Sequence, residues 1–272
     1  MSKLIVVTAT TSAERARECL ASWGGVQIIC VYNGPKTDYD DTLGIELLHR
    51  QYLGTVPAFR MGVDFALEHT DADVIACLHD DVEIKDPHWA EKVLRHFDRQ
   101  PACGLAGFGG AIGLGSDDLY TSSYDPMHLA RIGFRSNMTH AEDHGVRSLL
   151  TERVACLDGF SQIGRREFWA GHEAPHGEIG ALHYARPWTL LESLGVSHHF
   201  YDGMLGCLAA RTGWETWYLP IACHHFGGRT AVGDPGYQAW ARTQVEGGDH
   251  GFWDAAHKIG YEQFRDVLPL RV

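Results

Sequence analysis

Apolar residues in this chain come in short β-branched runs separated by stripes at helical spacing, from the N-terminus to about residue 108. Residues 3–10, 26–32, 74–78 and 102–108 each carry an apolar run too short for a helix and bounded by polar residues or glycine. Such runs predict buried parallel strands. Between them, Ala16, Cys19, Leu20 and Trp23 share one helical face, as do Phe59, Val63, Ala66 and Leu67, and then Ala90, Val93, Leu94 and Phe97. Thr11 with Glu14 forms a capping box, and Gly24-Gly25 ends that first helix. Thr55 with Pro57 opens the second, and Asp86-Pro87 reads as an N-cap with proline at the first helical position. A short strand is expected around residues 45–48. Strand and helix alternate throughout, which predicts an α/β fold with a mainly parallel sheet and helices on both faces.

The pattern changes after residue 108. Residues 109–153 show no clean period and are rich in glycine, serine, aspartate, histidine and methionine, so they read as one long functional loop. A strand near 154–157 leads into Asp158-Gly159, and residues 171–199 again read as loop. A helix opens at Phe200-Tyr201-Asp202, with Met204, Leu205, Leu208 and Ala209 inward. Residues 214–223 read as one further strand, running into His224-His225-Phe226-Gly227. The aromatic tail from Pro235 reads as helical.

At 272 residues and 44% hydrophobic, the chain is long enough for one large α/β domain. A formal net charge of −12 argues against gripping nucleic acid by charge, although it leaves a local basic groove open. The seven cysteines form no CxxC pair, and there is neither a signal-like start nor a stretch of 18 apolar residues. The expectation is a cytoplasmic protein with reduced thiols and no integral membrane segment.

Candidate chemistry gathers at strand ends. His79, Asp80, Asp81 and Glu83 follow the run at 74–78, where an open α/β sheet binds ligands. Adjacent carboxylates there repel unless a cation lies between them, and oxygen ligands suit Mg²⁺ or Mn²⁺. The first strand, helix and second strand form a βαβ unit without GxGxxG. Its two strand-end loops offer Thr8, Ala9, Thr10, Asn33 and Asp38 as groups that could hold a nucleoside. Trp188, Trp214 and Trp217 offer either stacking surfaces or core. Arg165-Arg166 offers a diphosphate contact or a solvated pair.

Four segments in this order resemble the nucleotide-sugar glycosyltransferases of the GT-A fold, and most of all the inverting family-2 enzymes. They are LIVVTAT with VQIICVYNG, GTVPAFRMGVDFAL with DVIACLHDDVEI, VACLDGFSQIGRREFW, and HHFYDGMLGCLAARTGWETWYLPIACHHFGG. The resemblance covers residues 3 to about 230 and implies a GT-A-type, Rossmann-like sheet. It implies a nucleotide-sugar-binding half at 1–108, and at 109–272 an elaborated acceptor and catalytic half of the same domain. It makes Asp81 the metal-contacting acid of a DXD-like motif and Asp80 its middle position, with His79 where the family often has aspartate. Asp202 is then the general base. His225 completes the metal site with Asp81, Glu83 being a further candidate; His224 is an alternative to His225, disfavoured by its spacing to the glycines. Asp158 and Gly159 fall beside donor sugar or acceptor. The implied cofactor is Mn²⁺ or Mg²⁺, and the implied donor a nucleotide-sugar, with a UDP-sugar first. The acceptor is a glycan or another hydroxyl-bearing molecule, with modified nucleic acid not excluded.

The residue types fit such a reaction. A leaving nucleoside diphosphate develops charge that a carboxylate-held cation offsets, and an acceptor hydroxyl needs a base to take its proton. Two other classes stay open. A nucleotidyltransferase shares the sheet and acids, but TATTSAER lacks the glycine and lysine of its phosphate loop. A noncatalytic nucleotide- or sugar-binding relative needs no base. A zinc hydrolase is disfavoured, since no HExxH appears.

Overall fold

The computed structural model describes residues 2–34, 45–48, 52–115, 130–138, 145–175, 185–227 and 235–272. In chain order the elements are β1 (Leu4–Thr10), α1 (Ala13–Leu20), β2 (Gln27–Tyr32), β3 (Ile45–Leu48), α2 (Thr55–His69), β4 (Val74–His79), β5 (Val82–Ile84), α3 (Trp89–Arg99) and β6 (Cys103–Gly107). Then come β7 (Gly109–Leu114), β8 (Arg131–Ser136), β9 (Val146–Arg147), β10 (Glu152–Arg153), β11 (Cys156–Leu157), β12 (Ser161–Arg165) and α4 (Arg166–Trp169). The chain continues with α5 (Pro187–Ser193), α6 (Tyr201–Arg211), β13 (Glu215–Tyr218), β14 (Cys223–His225), α7 (Pro235–Gln244), α8 (Asp249–Phe264) and β15 (Leu270–Arg271).

The main sheet runs β10-β13-β6-β12-β4-β1-β2-β3. Its β4-β1-β2-β3 half is parallel, and β12 is inserted antiparallel between β4 and β6. This is the mainly parallel α/β sheet that the alternation predicts. Period-two alternation divides its buried strands between two cores. Ile5, Val7, Ile75 and Cys77 face α2, against Val56, Phe59, Val63 and Ala66. Val6, Val74, Ala76 and Leu78 face the other way, against Trp23, Trp89, Val93 and Phe97. Helices therefore cover both faces. α2 lies so close to β1 that a Cβ on Gly62 would stand 2.2 Å from Val7 Cγ1.

Three expectations need correction. Residues 109–153 are not one loop: β7 to β10 lie within them, and β7 is the centre of a second sheet, paired with β8, β11 and β15. Glycines hide this strand from sequence reading, yet crowding explains them. A Cβ on Gly109 would lie 3.0 Å from Phe134 and Phe160, and one on Gly110 2.9 Å from the Cys156 carbonyl. Residues 171–199 contain α5, started by Pro187 in the first turn. The strand expected over 214–223 is two, because Pro220 lacks an N–H and the chain leaves the main sheet there. β14 pairs instead with β5, placing His225 opposite Val82 and His224 opposite Glu83.

The seven cysteines are buried and form no disulfide. Among the described residues no helix is long and apolar enough to cross a membrane.

Candidate functional site

A cavity of about 590 Å³ opens at the carboxyl ends of β1, β2 and β4. Open α/β sheets bind ligands at that edge. Ala9, Thr10, Asn33 and Asp80 line one side of it, Asp158, Gly159 and Asp202 also border it, and His79, Asp81 and His225 lie in its wall. The structure thus gathers most of the sequence candidates. Thr8 is fully buried and outside the lining, Glu83 is also outside it and pairs with Lys85, and Asp38 lies outside the described residues.

His79 ends β4, Asp81 follows it, and β14 brings in His225 through its pairing with β5. The Phe226 N–H donating to the Asp81 carbonyl at 3.0 Å locks this junction. One ligand atom from each of His79, Asp81 and His225 can lie within 4.8 Å of the others. Asp81 Oδ1 is buried and accepts no hydrogen bond, although His225 Nε2 stands 3.3 Å away and His79 Nδ1 4.0 Å away. A buried carboxylate oxygen that accepts no hydrogen bond and has only a loose ion pair is costly. An orphaned oxygen between two imidazoles suits a divalent cation, so these residues fit the implied metal. Burial alone would raise the Asp81 carboxyl, but the His225 and His79 rings override it and bring it down to about 2. Burial lowers His79, whereas the Asp81 carboxylate overrides burial and raises His225.

On the nucleoside side, Thr10 Oγ1 donates to Asp80 Oδ2 at 2.7 Å, fixing that carboxylate. Asn33 Oδ1 accepts from the Leu53 N–H at 2.8 Å, tying the β2 end to the segment just before α2.

Asp202 stands in the first turn of α6, where its Oδ1 accepts from the Gly203 N–H at 2.7 Å. His199 and Phe200 just before it have positive φ values of 57° and 50°. Such backbone is strained for residues with side chains. This left-handed corner turns the chain so that α6 begins with Tyr201 and Asp202 on the cavity wall. Sequence reasoning missed Arg131, at the start of β8, whose guanidinium bridges two acids. Nη1 donates to Asp158 Oδ2 at 3.1 Å, and Nη2 donates to Asp202 Oδ2. Burial alone would lower Arg131, but the Asp202 and Asp158 carboxylates hold it well above its ordinary value and fully charged. Arg131 in turn holds Asp158 below the usual carboxylate range, against burial.

Sequence reasoning also left out the far wall, where Tyr52, His198, Tyr237, Trp253 and His257 line the cavity. Only the aromatic density of the tail hinted at it. The other candidates are structural. Trp188 is 1% exposed and stacks on Trp169, and Trp214 donates to the His172 carbonyl. Arg165 and Arg166 donate to backbone carbonyls, among them Phe97, Cys103 and Ala72, and clamp helix ends rather than a diphosphate.

No protein-family model matches the sequence, and no curated protein matches it. Among solved structures, TarS from S. aureus aligns over 84% of this chain at 12% identity and a TM-score of 0.45, this chain spanning 37% of the TarS chain. The mannosyltransferase PcManGT from Pyrobaculum calidifontis, in complex with GDP-Man and Mn²⁺, aligns over 95% of this chain and 69% of its own at 13% identity and a TM-score of 0.44. A197 from STIV aligns over 82% of this chain and 85% of its own at 13% identity and a TM-score of 0.43. Similarity at this level concerns backbone path and assigns no chemistry to this chain.

Proposed function

We propose that this chain is a metal-dependent glycosyltransferase of GT-A type. It moves a sugar from a nucleoside-diphosphate donor to an acceptor hydroxyl with inversion. One observation carries the reading: the orphaned Asp81 Oδ1 between two imidazoles shares a single cavity with the Asp202 carboxylate. A bound divalent cation would stabilise charge on the leaving diphosphate. Asp81, His225 and His79 would hold it. Thr10, Asn33 and Asp80 would orient the nucleoside and ribose, and Asp158 would contact the sugar. Asp202 would take the acceptor proton as the new bond forms. Arg131 keeps the two cavity acids apart and fixed in the absence of substrate.

The donor is a nucleotide-sugar, a UDP-sugar being the first to try, and the family-2 inverting mechanism follows from the base reading. The test is nucleoside diphosphate release from a panel of UDP-, GDP- and dTDP-sugars with Mn²⁺ or Mg²⁺ and simple glycoside acceptors. The reading expects turnover that requires metal, and product of inverted anomeric configuration. Retained configuration in a metal-dependent product would overturn the single-displacement step.

A second reading, a noncatalytic nucleotide-binding relative, is favoured by one observation: Asp202 Oδ2 is already engaged by Arg131. Nucleotide binding without turnover of any donor would decide for it.

A further inference from the structure

The hydrogen bonds around His79 go further than the metal reading on which this inference rests. Tyr201 has one hydroxyl proton, and it donates that proton to the Gly159 carbonyl at 3.0 Å. The same oxygen lies 2.7 Å from His79 Nε2. With its proton committed to Gly159, the Tyr201 oxygen can only accept from the ring, so Nε2 carries the imidazole hydrogen. Nδ1 is then the nitrogen with the lone pair, and it is the one on the Asp81 side, 4.0 Å from Oδ1. Phe59 stacks on the His79 ring with centroids 6.2 Å apart, and Trp188 packs on Tyr201 at 5.6 Å, so both rings are seated. Position 79 therefore holds an imidazole with Nε2 committed to Tyr201 and Nδ1 aimed at Asp81 Oδ1.

We propose that Tyr201, through its bond to Gly159, is the positioning residue that makes His79 Nδ1 a third metal ligand. The resulting two-imidazole, one-carboxylate set selects a transition ion such as Mn²⁺ or Co²⁺ over Mg²⁺. Oxygen-seeking Mg²⁺ gains little from two nitrogens, whereas affinity for nitrogen sites rises from Mn²⁺ to Co²⁺. Outer hydrogen bonds that fix a ligand histidine are typically worth about 10–100-fold in metal affinity. Tyr201 precedes Asp202, so the start of α6 sets both the metal ligand and the base.

The test needs no substrate. In metal-free protein, ¹⁵N imidazole spectra, with His79 assigned by His79→Asn, should show a protonated Nε2 and a bare Nδ1. A protonated Nδ1 would overturn the proposal. Cobalt titration followed by visible absorption should saturate in the wild type. Tyr201→Phe, which keeps the ring, should weaken that binding by about 10–100-fold. Its melting curve confirms that it is folded. His79→Asp serves as the second variant: it should lower the preference for Co²⁺ over Mg²⁺. Wild-type cobalt affinity in Tyr201→Phe, or an unchanged metal preference in His79→Asp, would overturn the proposal while leaving the metal site itself intact. Failure of the wild type to bind cobalt would instead remove the metal reading on which the proposal rests.

Discussion

Replacing Arg131 by methionine removes the guanidinium that bridges Asp158 and Asp202 while keeping most of the apolar stem. Its guanidinium spans both acids, and the side chains are 30%, 26% and 6% exposed for Arg131, Asp158 and Asp202. Removing one partner of a fully buried pair costs about 3–5 kcal/mol, and an exposed pair is worth less than about 1 kcal/mol. Intermediate burial of Arg131 places the expected loss near 2 kcal/mol. For a chain of this size that is a fall in Tm of roughly 4–8 °C. The loss depends on pH. Without the guanidinium, the half-buried Asp158 carboxyl faces Asp202 and rises above its unfolded value. An acid whose folded pKa is raised loses stability as pH rises from the unfolded value, about 3.9, through the folded one. The variant should therefore melt well below the wild type at about pH 7 and approach it at about pH 4.5. Thermal melts at both pH values read this directly. Equal melting of the two proteins at both values would refute the account of Arg131 as the cation holding the acids in place.

Three further outcomes follow from the same geometry. Asp202→Asn should lower transfer by about 10²–10⁴-fold, the usual worth of a general base, with nucleotide affinity unchanged; steady-state rates and equilibrium binding on the same preparation check it, and near-wild-type transfer would remove Asp202 as the base. A methyl at position 159 would stand 2.6 Å from the Tyr201 hydroxyl and 3.2 Å from Asp202 Oδ2. Gly159→Ala should thus cost about 1–3 kcal/mol in a urea melt, as overpacking does, and an unchanged midpoint would contradict it. Burial, with His199 adding to it, lowers His198 to about 3, and burial with Arg165 behind it lowers His96 to about 4. Both rings are neutral in folded and unfolded chains above about pH 6.5, and below it the unfolded chain takes up protons that the fold refuses. Stability should fall from about pH 6.5 toward 4. His198→Asn, which keeps an acceptor for Thr55, should flatten that slope, and an equally steep slope in the variant would speak against it.

The parallel half of the fold was legible in the sequence because its signals are local. β1, α1, β2, α2 and β4 each announce themselves by period and by breadth of apolar run within a few residues. The second sheet was not, since β7 is held by β8, β11 and β15 from distant parts of the chain, and its glycines answer to crowding by Phe134 and Cys156 rather than to strand propensity. The site shows the same division. His79, Asp81 and Asp202 stand at element ends that the pattern marks, whereas Arg131 begins a strand whose partners no local period reveals. The meeting of His225 with Asp81 depends on how the chain leaves the main sheet at Pro220 to form β14. A strand read straight through that proline gives no reason for His225 to meet Asp81.

The central claim is that the cavity binds a nucleoside diphosphate through a cation held at Asp81. Thermal melts with UDP, GDP, dTDP and CMP, each with and without Mn²⁺, test it on the wild type and on Asp81→Ala. A ligand at a hundred times its Kd adds about 2.7 kcal/mol of stability, which moves Tm by several degrees. The account predicts that one nucleoside diphosphate raises Tm only with the metal, and that Asp81→Ala loses the effect. If no nucleotide moves the wild-type Tm with any divalent ion, or the shift persists in Asp81→Ala, the account is contradicted.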